Sequence, residues 1–139
     1  MSAVTCFLPE DETLIHDVVH VFYSKICNDA MLAPIFENAI QEGWDRHLAR
    51  MVDFWSNVML SNKRYKGEPL LVHVRLAHLR PEHFARWLML FQQTLDERCP
   101  QQAKHQQFMR RAELIGAGIK RWVAFYREHD PEWTPELLG

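Results

Sequence analysis

Apolar residues recur three and four positions apart in four separate stretches of this chain. Leu14, Ile15, Val18, Val19, Phe22 and Ile26 make the first stripe, and Trp44, Leu48, Met51, Val52, Trp55, Val58 and Met59 the second. Phe84, Trp87, Leu88, Phe91 and Leu95 follow, then Phe108, Ala112, Ile115, Ile119, Trp122, Val123 and Tyr126. At the helical period each set falls on one side of an α-helix, whereas a strand would scatter it over both faces. The breaks between stripes carry matching stop and start signals. Asp11 suits an N-cap, and the "CND" cluster at 27–29 followed by Pro34 suits a stop. "SNKRYKGEP" is a polar loop, Pro69 and Pro81 suit first helical turns, and Cys99 with Pro100 closes the third stripe. No internal repeat, low-complexity tract or convincing alternation interrupts this pattern. The 139 residues are expected to form one all-α domain, 1–139, with irregular ends at 1–10 and 130–139.

Composition narrows the function classes. A formal net charge of −2 gives no electrostatic case for a nucleic-acid or anionic-membrane partner. The start "MSAVTCFLPEDE" has no basic region leading into an apolar one, so no signal peptide is expected, and no apolar run is long enough to span a bilayer. Cys6, Cys27 and Cys99 are odd in number and contain no CxxC pair. That suits a reducing cytoplasm and argues against a disulfide framework or a covalently attached haem.

One histidine is unusually placed. In "YKGEPLLVH", residues 65–73, a Gly67–Pro69 turn leads through Leu70, Leu71 and Val72 to His73. Taken alone, His73 is a satisfied core histidine or a metal ligand facing a dry pocket. The segment up to Pro81 is too short for a bundle helix, which favours a positioning role. Polar-tipped rings also recur on or beside three other stripes: Tyr23 after Phe22, His47 one turn before Met51, and Trp87 within "FARWLMLF". Each needs a hydrogen-bond partner if buried, at a cost of roughly 1–3 kcal/mol when it lacks one. A core built for stability alone would use Phe and Leu there.

In order along the chain, "VFYSKI", "PIF", "WDRHLARMVDFW", "YKGEPLLVH" and "HFARWLMLF" resemble the third subgroup of truncated haemoglobins. The resemblance spans roughly residues 13–126, and the glycine-pair motifs typical of the other subgroups are absent. It implies a truncated globin fold, a helical sandwich around a pocket for non-covalent haem b. His73 would be the proximal ligand of the iron, with its second nitrogen donating to a carbonyl near Pro69 or Leu70. Tyr23, His47 and Trp87 would be the distal, ligand-stabilising side chains. Phe36 would wedge against the porphyrin, and Trp55 matches the tryptophan eight residues after the distal histidine. Met51, flexible and polarisable, falls where the family lines the distal pocket. Phe22, Phe54, Tyr65, Val72, Phe84 and Leu88 would complete the cofactor contacts. Arg50 is the first candidate to pair with a propionate, with Lys63, Arg64 and Tyr65 as others.

The function implied is binding of oxygen and other diatomic ligands at ferrous iron, with nitric oxide, carbon monoxide and cyanide as further iron ligands. Donors on the distal side stabilise a ligand with superoxide character, each by about 1.5–3 kcal/mol, or roughly ten- to hundredfold in release. Tight oxygen binding follows, suited to redox chemistry or sensing, such as conversion of nitric oxide to nitrate with a separate reductase. A peroxidase or nitrite-reducing activity in the same pocket is the alternative. A haem-free interaction or zinc module is a third reading: His16 and His20 have ligand spacing and Cys27 shares their flank, but no HExxH pattern accompanies them.

Overall fold

The computed structural model describes residues 9–39, 43–61 and 80–129. Among these it holds five helices and no strand: α1 Pro9–Cys27, α2 Ala33–Ala39, α3 Trp44–Leu60, α4 Pro81–Arg98 and α5 Gln102–His129. The first helix begins two residues ahead of the expected cap at Asp11, because Pro9 is preset for a first helical turn. The expected all-α architecture and the four long helices are present.

Helix α1 is the central element, packed against α3 and α4, while α5 lies across α4 and reaches α3. Its stripe explains this position. Ile15, Val18, Val19, Phe22 and Ile26 are all buried, and they meet Trp55 of α3, Leu90, Phe91 and Leu95 of α4, and Phe108 and Ala112 of α5. A smaller cluster joins Phe84 of α4 to Ile119 and Val123 of α5, with Ile35 of α2 against it. Trp122 and Tyr126, also expected on the last stripe, have side chains outside the described residues.

Pro34 starts a helix rather than merely stopping one. It is the second residue of α2, whose seven residues carry Phe36. The turn ahead of it is built by Asp29, which is 6% exposed. Its Oδ2 accepts the backbone N–H groups of Met31 at 3.2 Å and Leu32 at 3.0 Å. Its Oδ1 accepts Nε and Nη2 of Arg86 from α4, at 2.7 and 2.5 Å. The end of α1, the start of α2 and the side of α4 are thus fastened at one carboxylate. The Arg86 hydrogen bonds lower the Asp29 pKa, and the two backbone donors lower it further against the opposing effect of burial.

Local signals also place the other two site-bearing helices. Gly43 precedes α3 with φ 95 and ψ 155, a region essentially open to glycine alone, and its carbonyl accepts the N–H of His47 at 3.1 Å. Helix α4 opens at Arg80–Pro81, where the Arg80 N–H donates to Nδ1 of His83 at 2.8 Å. The His83 N–H in turn donates to the Arg80 backbone carbonyl at 3.0 Å, and the two bonds mark where the helix that carries Phe84, Trp87 and Phe91 begins.

Candidate functional site

Four rings from three helices converge beside the core. Tyr23 of α1 is 5% exposed. Its ring meets His47 of α3 edge-on at 5.1 Å, Phe36 of α2 at 5.8 Å and Trp44 of α3 at 6.2 Å between centroids. Trp44 and His47, three apart on α3, lie 5.8 Å from each other, and Phe36 closes the group at 6.4 Å from His47 and 6.5 Å from Trp44. The Nε2 atom of His47 is itself buried. A phenolic O–H, an imidazole and an indole N–H are therefore gathered on an aromatic wall, with the low dielectric that strengthens any hydrogen bond they make.

Trp87 stands next to this group and not within it. Phe22 bridges the two, edge-on to Tyr23 at 5.2 Å and to Trp87 at 5.6 Å. Trp87 is stacked almost parallel on Phe91 at 5.9 Å, and its six-membered ring approaches α5 where a Cβ on Gly116 would sit 3.8 Å from Cζ3. The indole is braced on two sides.

The remaining expected residues divide by helix. Met51 and Phe54 of α3 and Leu88 of α4 are half-buried against the main core, with Phe54 edge-on to Trp55 at 5.7 Å. Arg50 is exposed on α3, one turn beyond His47. Phe22 is fully buried. Phe84 lies in the smaller cluster with Ile119 and Val123. Trp55 is also core, stacked on Phe91 at 4.9 Å. Lys63, Arg64, Tyr65, Val72 and His73 lie outside the described residues.

Two residues escaped the sequence reading. Trp44 was read as a stripe position and is a full member of the ring group; its three-residue spacing to His47 was the available signal. Asp29 was read as a turn residue, and nothing local announces its Arg86 partner fifty-seven positions away.

Helix α3 has a further property. Apart from Trp55 its apolar stripe is only half-buried: Trp44, Leu48, Met51, Val52, Val58 and Met59 touch the core but are not enclosed by it. This half-buried apolar strip joins the ring group at Trp44. By contrast, the zinc alternative gathers no support: His16 and His20 stack at 4.0 Å with Nδ1 of His20 on the His16 carbonyl at 2.9 Å. Among the described residues no three His, Cys, Asp or Glu side chains are grouped to hold a metal.

Known proteins resemble this chain in sequence and in fold. A model of the family described as bacterial-like globin matches residues 10–118. Group 3 truncated hemoglobin ctb of Campylobacter jejuni subsp. jejuni is 32% identical over 115 residues, covering 81% of this chain and 90% of that protein. The crystal structure of the group III truncated hemoglobin from Campylobacter jejuni superposes with a TM-score of 0.75 at 30% identity, again over 81% of this chain and 90% of that one. The chain belongs to the bacterial-like globin family and, within it, to the third group of truncated haemoglobins.

Proposed function

We propose that this haem-binding globin holds haem b non-covalently through His73 and binds oxygen tightly, with nitric oxide, carbon monoxide and cyanide as further ligands. His73 lies outside the described residues and enters from its sequence context. One observation carries the reading: the half-buried apolar stripe of α3 leads through Trp44 into a group of rings packed around buried Tyr23.

These residues fit haem. A flat apolar macrocycle laid along Leu48, Met51 and Val52 would remove their open surface from water, at about 25 cal/mol per Å². Exposed Arg50 on the same helix suits a propionate at the solvent edge. When bound, haem supplies an iron with one open position for a small ligand. The chain's own groups set the ligand's fate. Tyr23 offers an O–H from a buried setting and half-buried Trp87 an N–H, and His47 adds a third donor or guards entry. Bracing of Trp87 by Phe91 and α5 keeps its donor in place without an ordering cost at each binding event.

Slow release suits consumption of oxygen better than delivery. Nitric oxide, oxygen and one electron combine to nitrate, and a separate reductase would return the electron. A cytoplasmic location accords with two free thiols, Cys27 and Cys99, and no described helix is long and apolar enough to cross a membrane. Absorption spectra of the ferric, ferrous and carbonmonoxy forms test the reading directly. The native protein should be red with a Soret band, and His73→Ala should lose it. A colourless native protein, or pigment and spectrum unchanged in His73→Ala, refutes haem ligation at this residue.

A further inference from the structure

Helix α5 is basic in a chain that is acidic elsewhere. It carries six Lys or Arg against two Glu, while the formal net charge of the whole chain is −2. Its Arg110, Arg111, Lys120 and Arg121 are all exposed. Among the described residues none of these four is in an ion pair, whereas Lys104 in the first turn is bonded to Asp11 of α1. Arg110 and Arg121 sit eleven residues apart, three turns, and so share a face. Leu114, 57% exposed, lies between them with Ala117 and Gly118. Two cations at each end therefore bracket a small uncharged patch. Behind the patch the helix is thin. Gly116, two positions from both Leu114 and Gly118, faces the other way, and a Cβ there would sit 3.8 Å from Cζ3 of Trp87.

We infer that this face of α5 docks an acidic one-electron carrier protein, the reductase that the proposed function calls for and on which the inference rests. Charge complementarity selects the partner. Cations that no carboxylate of their own chain neutralises attract an acidic surface and steer its approach. An extended anion such as a membrane or a nucleic acid would also meet the net negative remainder of the chain, whereas a compact protein engages one face alone. The uncharged centre at Leu114, Ala117 and Gly118 lets the two backbones come close. A carrier seated there stands about 10–12 Å, one helix diameter, from the indole of Trp87. The step is a single electron transfer. A reduced flavin or iron–sulfur protein loses one electron and ferric iron gains it to become ferrous, with no bond made or broken and no proton moved.

Stopped-flow reduction of the ferric holoprotein by reduced plant-type ferredoxin, an acidic iron–sulfur carrier, tests the docking face. The second-order rate constant of the native protein should fall about tenfold between roughly 10 mM and 200 mM salt, as screening weakens the attraction. Arg110→Glu combined with Arg121→Glu should lower the low-salt constant at least about tenfold and flatten its salt dependence. Arg46→Glu, a charge reversal at an exposed position of α3, should stay within about twofold. Reduction by dithionite, which needs no protein docking, should be the same in all three proteins. A ferredoxin rate indifferent to the α5 changes overturns the inference, as does an equal loss from Arg46→Glu. So does native protein that pellets with phosphatidylserine vesicles through these arginines while its ferredoxin rate ignores them. A red protein with any of these results loses only the docking face, whereas a colourless one loses the haem reading and this inference together.

Discussion

Tyr23 is nearly solvent-free and yet carries a hydroxyl, and the rings of Phe36, Trp44 and His47 define the setting in which that hydroxyl works. If the O–H stabilises a bound ligand, Tyr23→Phe removes one hydrogen bond and little volume. The oxygen off-rate of the ferrous holoprotein, followed by stopped-flow displacement with carbon monoxide, should rise about tenfold or more. Trp87→Phe, which removes the N–H with the five-membered ring and leaves a six-membered ring to pack on Phe91, should do the same. Unchanged off-rates in both variants would remove the hydrogen-bond account of tight binding. Asp29 acts on stability instead. Its folded pKa lies below the ordinary carboxylate value of about 3.9, chiefly through the Arg86 hydrogen bonds. The stabilisation is therefore complete above that value and disappears as pH falls through the lower folded one. Asp29→Asn should cost about 1–3 kcal/mol at pH 7 by urea unfolding, and the gap to the native protein should be narrower at an acid pH well below the ordinary carboxylate value. An equal gap at both pH values would contradict the linkage. Tyr23 and His47 were legible because each sits on or beside a helical stripe inside an ordered motif. Asp29 was not, since its meaning depends on an arginine brought near only by the packing of α1 on α4.

At the scale of elements, Phe91 is where four helices meet. Its ring lies 4.9 Å from Phe22 of α1 and 4.9 Å from Trp55 of α3, and 6.2 Å from Phe108 of α5, while belonging to α4. Phe91→Ala empties a fully enclosed site bounded by rigid rings that cannot all collapse into it, so the cost should be about 3–5 kcal/mol. Met89→Ala, on the same helix but 40% exposed, is the control and should stay within about 1 kcal/mol. Similar losses from the two variants would mean that α4 is not the shared support of the other three helices. The long helices were readable because each spans several turns, enough for a period to show. Helix α2 spans seven residues, fewer than two full turns, and its placement comes from Asp29 and Pro34 rather than from any stripe. The half-burial of α3 was likewise invisible in its sequence. Its stripe is as regular as that of α1, and only the packing shows that α1 is enclosed while α3 keeps an open apolar side.

That open side makes the stability of the whole molecule depend on what covers it. A ligand that binds the folded chain and not the unfolded one adds RT ln(1 + [L]/Kd), about 4 kcal/mol when free ligand stands a thousandfold above its Kd. For a domain of this length that is on the order of 10–15 °C in thermal midpoint. Haem added to the apoprotein should therefore raise the midpoint followed by far-UV circular dichroism by about that much. His73→Ala should lose most of the gain while keeping a native-like apoprotein midpoint, since a side chain that acts through bound haem adds stability only when haem is present. The two measurements separate a ligand site from a structural one. A core histidine would lower the apoprotein midpoint and leave the haem-induced rise intact, whereas an iron ligand would do the reverse. Were the native apoprotein to melt at the same temperature with and without haem, the open strip on α3 would need another occupant.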